Sequence, residues 1–480
     1  MNKYQKNTTI YIRGKCITSL GREMGKKYRF YDPNQELLIA PNIHEWLPEG
    51  HLAFFVDKLI DNADISSITE YYERSDRGNP PYNPLMMTKI LSYAYCIGMP
   101  SSRKINKAMY EDVAFRVLGA GNFPDFRTIS DFRKIHLGSL EELFSQVLHL
   151  CEEADLVKLG TVAIDGTKVR ANASIDKNCC HETLKEKEER LRKIARDIFE
   201  EAEKIDEEED RIYGQDRRGD ELPKGFRTKK EQLERIRKAK EIIERKQREK
   251  KNKYDKKMKE RSEKKKKAVK KLRGRKPKKV EDQPDESDKA NITDPDSRMM
   301  KTRAGYLQGY NAQVAVDCES QVIVATDLTQ DCNDKNQLVP MMDKIKENTG
   351  KLPKRGTMDA GYDNEEQIRQ FRDDVDLYIP TQKDWKQRKA MRELPPPRGR
   401  IPKKLTLRER MERKLLTRKG KDIYKNRGAS VEPVNGQIKT IRGFDRLSLR
   451  GLQKGNREWT FICTTHNILK LWRKTATVSG

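Results

Sequence analysis

The sequence predicts an α/β protein, a mixed sheet flanked by helices, and three observations predict it. Short apolar runs with strand character occur at 161–169 (TVAIDGTKV), 309–317 (GYNAQVAVD) and 321–329 (QVIVATDLT). Segments with apolar residues at helical spacing precede and follow them. One acid, Asp165, stands alone inside the first run, and another, Asp359, ends a later short strand in KRGTMDAGYDN (354–364).

The chain has 480 residues, more than one ordinary core and enough for two or three structural units. Apolar residues make up 35% and charged residues 37%, so part of the chain is expected outside any core. The net charge is +26. A surplus of that size points to a polyanionic partner, nucleic acid first and an anionic membrane surface second. No apolar run reaches the roughly 20 residues that span a bilayer, and the N-terminus lacks the apolar core of a secretion signal. A soluble, cytoplasmic protein with no membrane role is expected. The eight cysteines are scattered with no Cys-x-x-Cys pair, which argues for reduced thiols rather than disulfides. Cys179-Cys180-His181 is the one place where a soft metal is conceivable.

In chain order, residues 1–35 are polar and irregular and form a segment of their own. Residues 36–155 read as helical. Leu52, Phe55, Val56, Leu59 and Ile60 repeat at helical spacing, and Leu85, Met86, Ile90, Leu91, Tyr93, Ala94 and Ile97 do so less cleanly, after a break at GNPPYNP (78–84). Thr128 is a candidate N-cap with Asp131 three residues on. The short helix that follows carries Arg133, Lys134 and His136. Short helices with basic residues on the last suit a helix-turn-helix DNA reader, or equally an all-helical bundle with a wet face.

Residues 176–290 are rich in Lys, Arg and Glu with few large apolar residues. Stretches 183–205 and 228–270 have helical composition and charges three and four apart, so long solvated helices, in a hairpin or apart, are expected. Between 250 and 279 there are 18 Lys or Arg against three acids, a surplus of 15 within the total of +26. Either a spacer or an arm for DNA backbone fits such a stretch. Arg273-Gly-Arg-Lys-Pro277 has the look of a short minor-groove hook.

After the two strands at 309–329, joined by Cys318-Glu319-Ser320, a helix is expected at 335–348. The strand ending in Asp359 follows, then a helix at 365–371 and a strand at 376–380. Residues 381–420 read as basic and irregular, and 424–472 as helical with an interruption between Gly443 and Gly455. Strand with acid, hairpin, helix, strand with acid, helix, strand, helix with acid is the order of a ribonuclease-H-like fold. In it, acids from the first strand, the fourth strand and a late helix converge. Asp165, Asp359 and Glu432 are the candidates, with Asp363 as a substitute for Asp359. A phosphodiester resists attack by another oxygen nucleophile, and two divalent cations overcome this by activating a water or 3′-hydroxyl and stabilising the leaving oxygen. Mg²⁺ prefers carboxylate oxygens and keeps waters for exchange with substrate. Pro433 is tolerated in a first helical turn, so Glu432 is expected at a helix start or kink, where the helix dipole favours its ionised form.

The segment YKNRGASVEPVNGQIK (424–439) resembles the tyrosine–arginine–glutamate–lysine signature of the DDE transposases of bacterial insertion sequences. The Glu-to-Lys interval matches; the Arg-to-Glu interval is one residue longer than in the best-known form. VAIDGTKVRANAS (162–174) looks like the family's first-aspartate block, MDAGYDN (358–364) like the second, and FICTTHNILKLW (461–472) is similar to its closing helix. Residues 36–150 look like the InsH-type N-terminal domain that accompanies such cores.

The resemblance implies a catalytic core of residues 160–175 and 291–472, interrupted by the 176–290 insert and preceded by a DNA-binding helical domain at 36–155. It implies Asp165, Asp359 and Glu432 as catalytic residues holding two Mg²⁺ or Mn²⁺ ions, and Tyr424, Arg427 and Lys439 as contacts to DNA phosphates. The expected partners are double-stranded DNA, both the inverted-repeat ends and the target, and a second copy of the chain in an active homodimer, nucleoid-associated when bound. Related transposases form hairpin intermediates and flip bases; Trp385 is a candidate wedge by its aromatic nature alone. The competing readings are a metal-dependent nuclease without strand transfer and a catalytically inactive DNA-binding relative.

Overall fold

A computed structural model describes residues 42–73, 80–213, 226–267, 279–302 and 304–478, apart from positions 282 and 403. The expected irregular segment 1–35 and the 273–277 hook lie outside them. The chain divides into two compact units, Met1–Trp46 and Leu47–Gly480. In the first, Ile43–Trp46 is a short 3-10 turn.

The second unit opens with seven helices: α1 (Leu52–Asp61), α2 (Ser66–Glu73), α3 (Pro84–Cys96), α4 (Ser102–Glu111), α5 (Val113–Gly119), α6 (Phe126–Ile135) and α7 (Leu137–Glu153). Helix α1 buries Leu52, Ala53, Val56, Leu59 and Ile60 along one stripe, the spacing its sequence shows. Helix α3 is capped by Asn83, whose side chain accepts from Leu85 N and Met86 N, with Pro84 supplying the first turn. From Met86 on, all but one of its residues are buried, which explains its blurred periodicity: a helix enclosed all round has no polar face to mark.

Helix α6 corrects two expectations. Its cap is Asp125, which accepts from Arg127 N and Thr128 N at 2.7 Å each, so Thr128 lies inside the first turn. Arg133 and His136 also turn inward rather than to solvent. Arg133 Nη1 donates to Pro100 O at 2.6 Å and Tyr95 Oη at 3.2 Å, and His136 Nε2 lies 3.0 Å from Tyr72 Oη. Lys134 remains outside and pairs with Asp131 at 2.9 Å. Arg133 and His136 tie helices together, and Lys134 alone of the three stays on the outer face.

The sheet contains β1 (Val162–Arg170), β4 (Arg298–Thr302), β5 (Gly305–Asp317), β6 (Ile323–Thr329), β7 (Arg355–Thr357) and β8 (Asp376–Tyr378). β1 lies between β5, antiparallel to it, and β7, parallel to it; β8 continues parallel beyond β7. Both β4 and β6 pair with the long β5, β4 along its first residues and β6 along its last. Helix α10 (Leu338–Thr349) buries Leu338, Met341, Met342 and Ile345, and α11 (Glu365–Phe371) follows β7, as their spacing predicts. The stretch 381–420 is not irregular: it holds α12 (Asp384–Glu393) and α13 (Leu407–Leu416). The overlooked signal is the capping box Thr406–Glu409, with Met411 and Leu415 buried four apart.

Between β1 and β4 the charged insert forms a helical hairpin, α8 (His181–Tyr213) and α9 (Phe226–Lys267), on a two-stranded base of β2 (Asn178–Cys179) and β3 (Ala290–Asn291). Leu184, Ile236, Ala239 and Ile243 give it a small core of its own. Buried Glu188 on α8 binds Arg192 at 2.6 Å, Arg237 at 3.2 Å and Lys240 at 3.3 Å, so one acid staples both helices. Beyond Lys250 the described side chains of α9 stand almost entirely in solvent.

Two late helices close the unit, α14 (Arg418–Gly436), continued by a π-turn at Gln437–Ile441, and α15 (Leu452–Val478). α15 packs against α7, α3 and β6, so the N-terminal helices and the sheet share one continuous core. Tyr95 of α3 stacks on Phe444 with ring centroids 5.4 Å apart. Pro433 lies inside α14, where it cannot bond the carbonyl of Ala429. Gln321, in the β5–β6 turn, supplies the missing donor from its Nε2 at 3.2 Å.

The same Gln321 carbonyl accepts from His466 Nε2 at 3.0 Å, and burial holds the His466 imidazole neutral, its pKa down to about 3. The unfolded chain takes up a proton near pH 6.5 and the folded one does not, so stability is full above that pH and lost as pH falls below it. The expected slope from this residue is about 1.4 kcal/mol per pH unit. Thermal unfolding of wild type and His466→Asn between pH 7.5 and 5 checks this; identical pH profiles would exclude His466 as the source.

Candidate active site

Asp165 points from the middle of β1 toward α14. The parallel register of β1 with β7 pairs Val162 with Gly356 and Ala163 with Thr357. Extending that register two residues brings Asp359 alongside Asp165. β7 itself ends at Thr357, and Asp359 caps the following 3-10 turn, its Oδ1 accepting from Gly361 N at 2.8 Å. Two acids 194 positions apart are thus brought close, Asp165 on β1 and Asp359 just beyond the end of the strand parallel to it.

Helix α14 crosses the same face of β1. Arg427, 5% exposed, places Nη1 3.6 Å from Asp165 Oδ1, and Asn435 Nδ2 donates to Asp165 Oδ2 at 3.4 Å. Tyr424 is buried beneath the Arg427 guanidinium, its ring centroid 5.6 Å away. Lys439 donates to Thr167 Oγ1 at 3.0 Å and Lys168 O at 2.7 Å. Tyr424, Arg427 and Lys439 are therefore all at the site, but each is engaged within the protein and not held out to solvent.

Glu432 sits differently from its sequence-based expectation. It lies near the C-terminal end of the long α14 rather than at a helix start or kink, and Tyr424 and Arg427 share that helix. Pro433 does not begin the helix because Gln321 satisfies the carbonyl it leaves open. Five residues separate Arg427 from Glu432, roughly 140° around a helix. Glu432 accordingly faces outward, and its Oε1 lies 3.5 Å from Arg388 Nη2. Gly428 lies under this pair.

Burial pushes the Asp165 carboxyl up to about pKa 7; Arg427 pulls it down, while the charges of Asp359, Asp334 and Glu432 push it further up. Asp359, Asp334 and Glu432 are thus each close enough to act on Asp165. Burial also raises the Tyr362 hydroxyl, and Asp334, Asp165 and Asp359 add to the effect. Asp363, the substitute considered for Asp359, instead lines a separate cavity with Lys335 and Arg408.

Sequence reasoning missed Asp334, Asn435 and Tyr362. Asn435 and Tyr362 stand inside the two motif blocks, in VEPVNGQIK and MDAGYDN, where their closeness to the acids was the available signal. Asp334 sits in a polar loop, DCNDKNQ, that carries none.

Residues 284–468 match the family model described as a transposase DDE domain, and residues 41–135 match that of a transposase domain, DUF772. The chain belongs to the DDE-type insertion-sequence transposases. No curated protein and no solved structure matches it. The DDE match makes the transposase a DNA-cleaving and strand-transferring enzyme and implies a ribonuclease-H-like core, of which the mixed α/β sheet is the structural counterpart. The matched span holds Asp359 and Glu432 but begins near the end of the insert, well after β1. Asp165 of the transposase is tied to it by strand register and by the contacts of Arg427 and Asn435.

DDE domains depend on a divalent metal, typically Mg²⁺. The donors here suit a hard cation. Beside the carboxylates, Thr357 Oγ1 and Asn435 Oδ1 are buried and have no hydrogen-bond partner among the described residues. Those residues contain no ready-made cage of three His, Cys, Asp or Glu. Mg²⁺ usually takes one or two carboxylates and completes its shell with water and substrate phosphates.

Proposed function

We propose that this transposase binds the inverted-repeat ends of its insertion sequence, cuts them in a metal-dependent reaction and joins the freed 3′-hydroxyls to target DNA. The observation that supports the reading most is the register that sets Asp359 beside Asp165, under a helix that brings Arg427 onto Asp165 and carries Glu432. Asp165, Asp359 and Glu432 would hold two Mg²⁺ or Mn²⁺ ions, which when bound activate the attacking oxygen and stabilise the leaving one. Arg427 favours the charged form of Asp165 against the burial that opposes it, and Asn435 fixes its second oxygen.

The DNA backbone is assigned to a groove of about 440 Å³ beside Glu432, where Arg388, Arg392, Lys421 and Lys425 gather around Tyr424 and Met391. Lys and Arg there make phosphate contacts that position the strand. Tyr424, Arg427 and Lys439 would support that strand from beneath. The N-terminal helices, within residues 36–155, and the solvated outer part of α9 extend the contact, α9 without sequence preference. Holding two ends at once calls for a homodimer, and the protein would be nucleoid-associated when bound.

The test offers pre-cut DNA ends with free 3′-hydroxyls and a supercoiled target, with Mg²⁺. Covalently joined products are expected from the wild type. Cleavage of uncut ends with no joined product would make the protein a nuclease, and binding without either would make it a DNA-binding relative.

A further inference from the structure

Asp334 precedes α10 on the side of β1 opposite to Arg427. Its Oδ1 accepts from Asn311 Nδ2 and from Gln313 Nε2, both at 2.7 Å. These amides stand on β5 directly across from Lys168 and Gly166, so Asp334 grips the strand pair at the residue after Asp165. Gln313 passes the link on: its Oε1 accepts from the buried Tyr362 hydroxyl, in the 3-10 turn that Asp359 caps. Two glycines make the approach possible. A Cβ at Gly166 would overlap Asp334 Oδ1. A Cβ at Gly361 would lie 3.3 Å from Asp334 Oδ2 and 2.9 Å from Asp359 Oδ1, so those two carboxylate oxygens are within about 6 Å of one another.

We propose that Asp334 is a positioning residue of the catalytic centre, a clamp that sets the spacing of Asp165 and Asp359 through Asn311, Gln313 and Tyr362. The inference rests on the reading of Asp165 and Asp359 as the metal-holding pair. Strand pairing between β1 and β7 stops at Ala163–Thr357, short of both acids, so strand hydrogen bonds do not fix their separation. The Asp334 hydrogen bonds hold Asn311 and Gln313, which lead to Asp165 through the β5–β1 pairing and to the turn of Asp359 through Tyr362. The general expectation is that groups orienting metal ligands set metal affinity, and that their loss costs about 10–100-fold.

The experiment measures binding of Mn²⁺ alone to the full-length protein, by the electron paramagnetic resonance signal of the free ion, for wild type, Asp165→Asn, Asp334→Ala, Asp334→Asn and Gly166→Ala. Thermal unfolding of each is recorded alongside. Asp334→Ala is expected to weaken Mn²⁺ binding about 10–100-fold. Asp334→Asn, whose Oδ1 still accepts from both amides, is expected to stay within a few-fold of wild type, and Gly166→Ala, which unseats the carboxylate, to follow Asp334→Ala. Wild-type affinity in Asp334→Ala, or Asp334→Asn as weak as Asp334→Ala, overturns the clamp, the latter because charge and not hydrogen bonding would then matter. Loss in Asp334→Ala accompanied by a collapse of the melting transition, without rescue by Asp334→Asn, also overturns it. Should Asp165→Asn bind Mn²⁺ as the wild type does, the assignment of the metal-holding pair fails and the clamp falls with it.

Discussion

Asp165→Asn is expected to abolish DNA cleavage while making the stability of the metal-free protein less dependent on pH. The loss follows from the role of the carboxylate. Metal-assisted charge stabilisation is worth several kcal/mol in the transition state. Removing one of its holders therefore lowers the cleavage rate roughly a thousandfold or more. The change in pH dependence follows from burial. The Asp165 carboxyl has its pKa raised to about 7, chiefly by desolvation. In the unfolded chain it ionises near 4.

Stability from this group is therefore greatest below the unfolded value and is surrendered as pH rises toward 7, after which the cost is constant. An asparagine, neutral throughout, escapes that cost. The advantage of the variant should grow between pH 4 and 7, at about 1.4 kcal/mol per pKa unit, and level off above. Cleavage assays and melting curves in chelator across that range check both halves. A variant that still cuts removes Asp165 from the centre, and a stability difference that does not shift toward the variant between pH 4 and 7 contradicts the desolvation account. Binding to end DNA should survive the substitution, since Asp165 lies below the surface that meets phosphates.

Arg427→Met is the second large effect expected, now on stability and activity together. The guanidinium is buried against Asp165 Oδ1 at 3.6 Å and over the Tyr424 ring. Breaking a buried ion pair by removing one partner costs about 3–5 kcal/mol, because the remaining charge is left without compensation. Proton uptake by Asp165 caps that cost, and it also disables the carboxylate as a metal ligand, so cleavage should fall with stability. Urea unfolding of the wild type, both single variants and the Asp165→Asn/Arg427→Met double variant measures the coupling. The double variant should recover much of the loss seen in Arg427→Met. Strict additivity, within about 0.5 kcal/mol, would show that the two side chains do not depend on each other.

Much of the fold was legible because its signals are local. The strands at 162–170, 305–317 and 323–329 and the helices at 52–61, 338–349 and 365–371 follow from apolar periodicity within a single segment. The helices at 384–393 and 407–416 were hidden by their charge, since so few of their residues are apolar that no buried stripe stands out. Arg133 and His136 read as a basic face because sequence does not say which way a helix is turned. Their partners, Tyr95, Pro100 and Tyr72, come from other helices. Pro433 read as a helix start because its orphaned carbonyl is satisfied from Gln321, more than a hundred residues away.

By itself the sequence determined the kind of chemistry at issue. Lone acids in apolar strands are costly unless something holds them, and Asp165 in its strand and Asp359 at the end of another announce a site before any coordinates. It also determined the localised charge of the insert and the order of strands and helices. Only the tertiary structure decided which groups meet. Parallel pairing of β1 with β7 brought Asp165 and Asp359 close, the 140° turn between Arg427 and Glu432 sent one inward to Asp165 and the other outward to Arg388, and two glycines let Asp334 approach from behind. The reason is that composition and spacing act along a chain, whereas electrostatics and hydrogen bonding act through distance, which only packing sets.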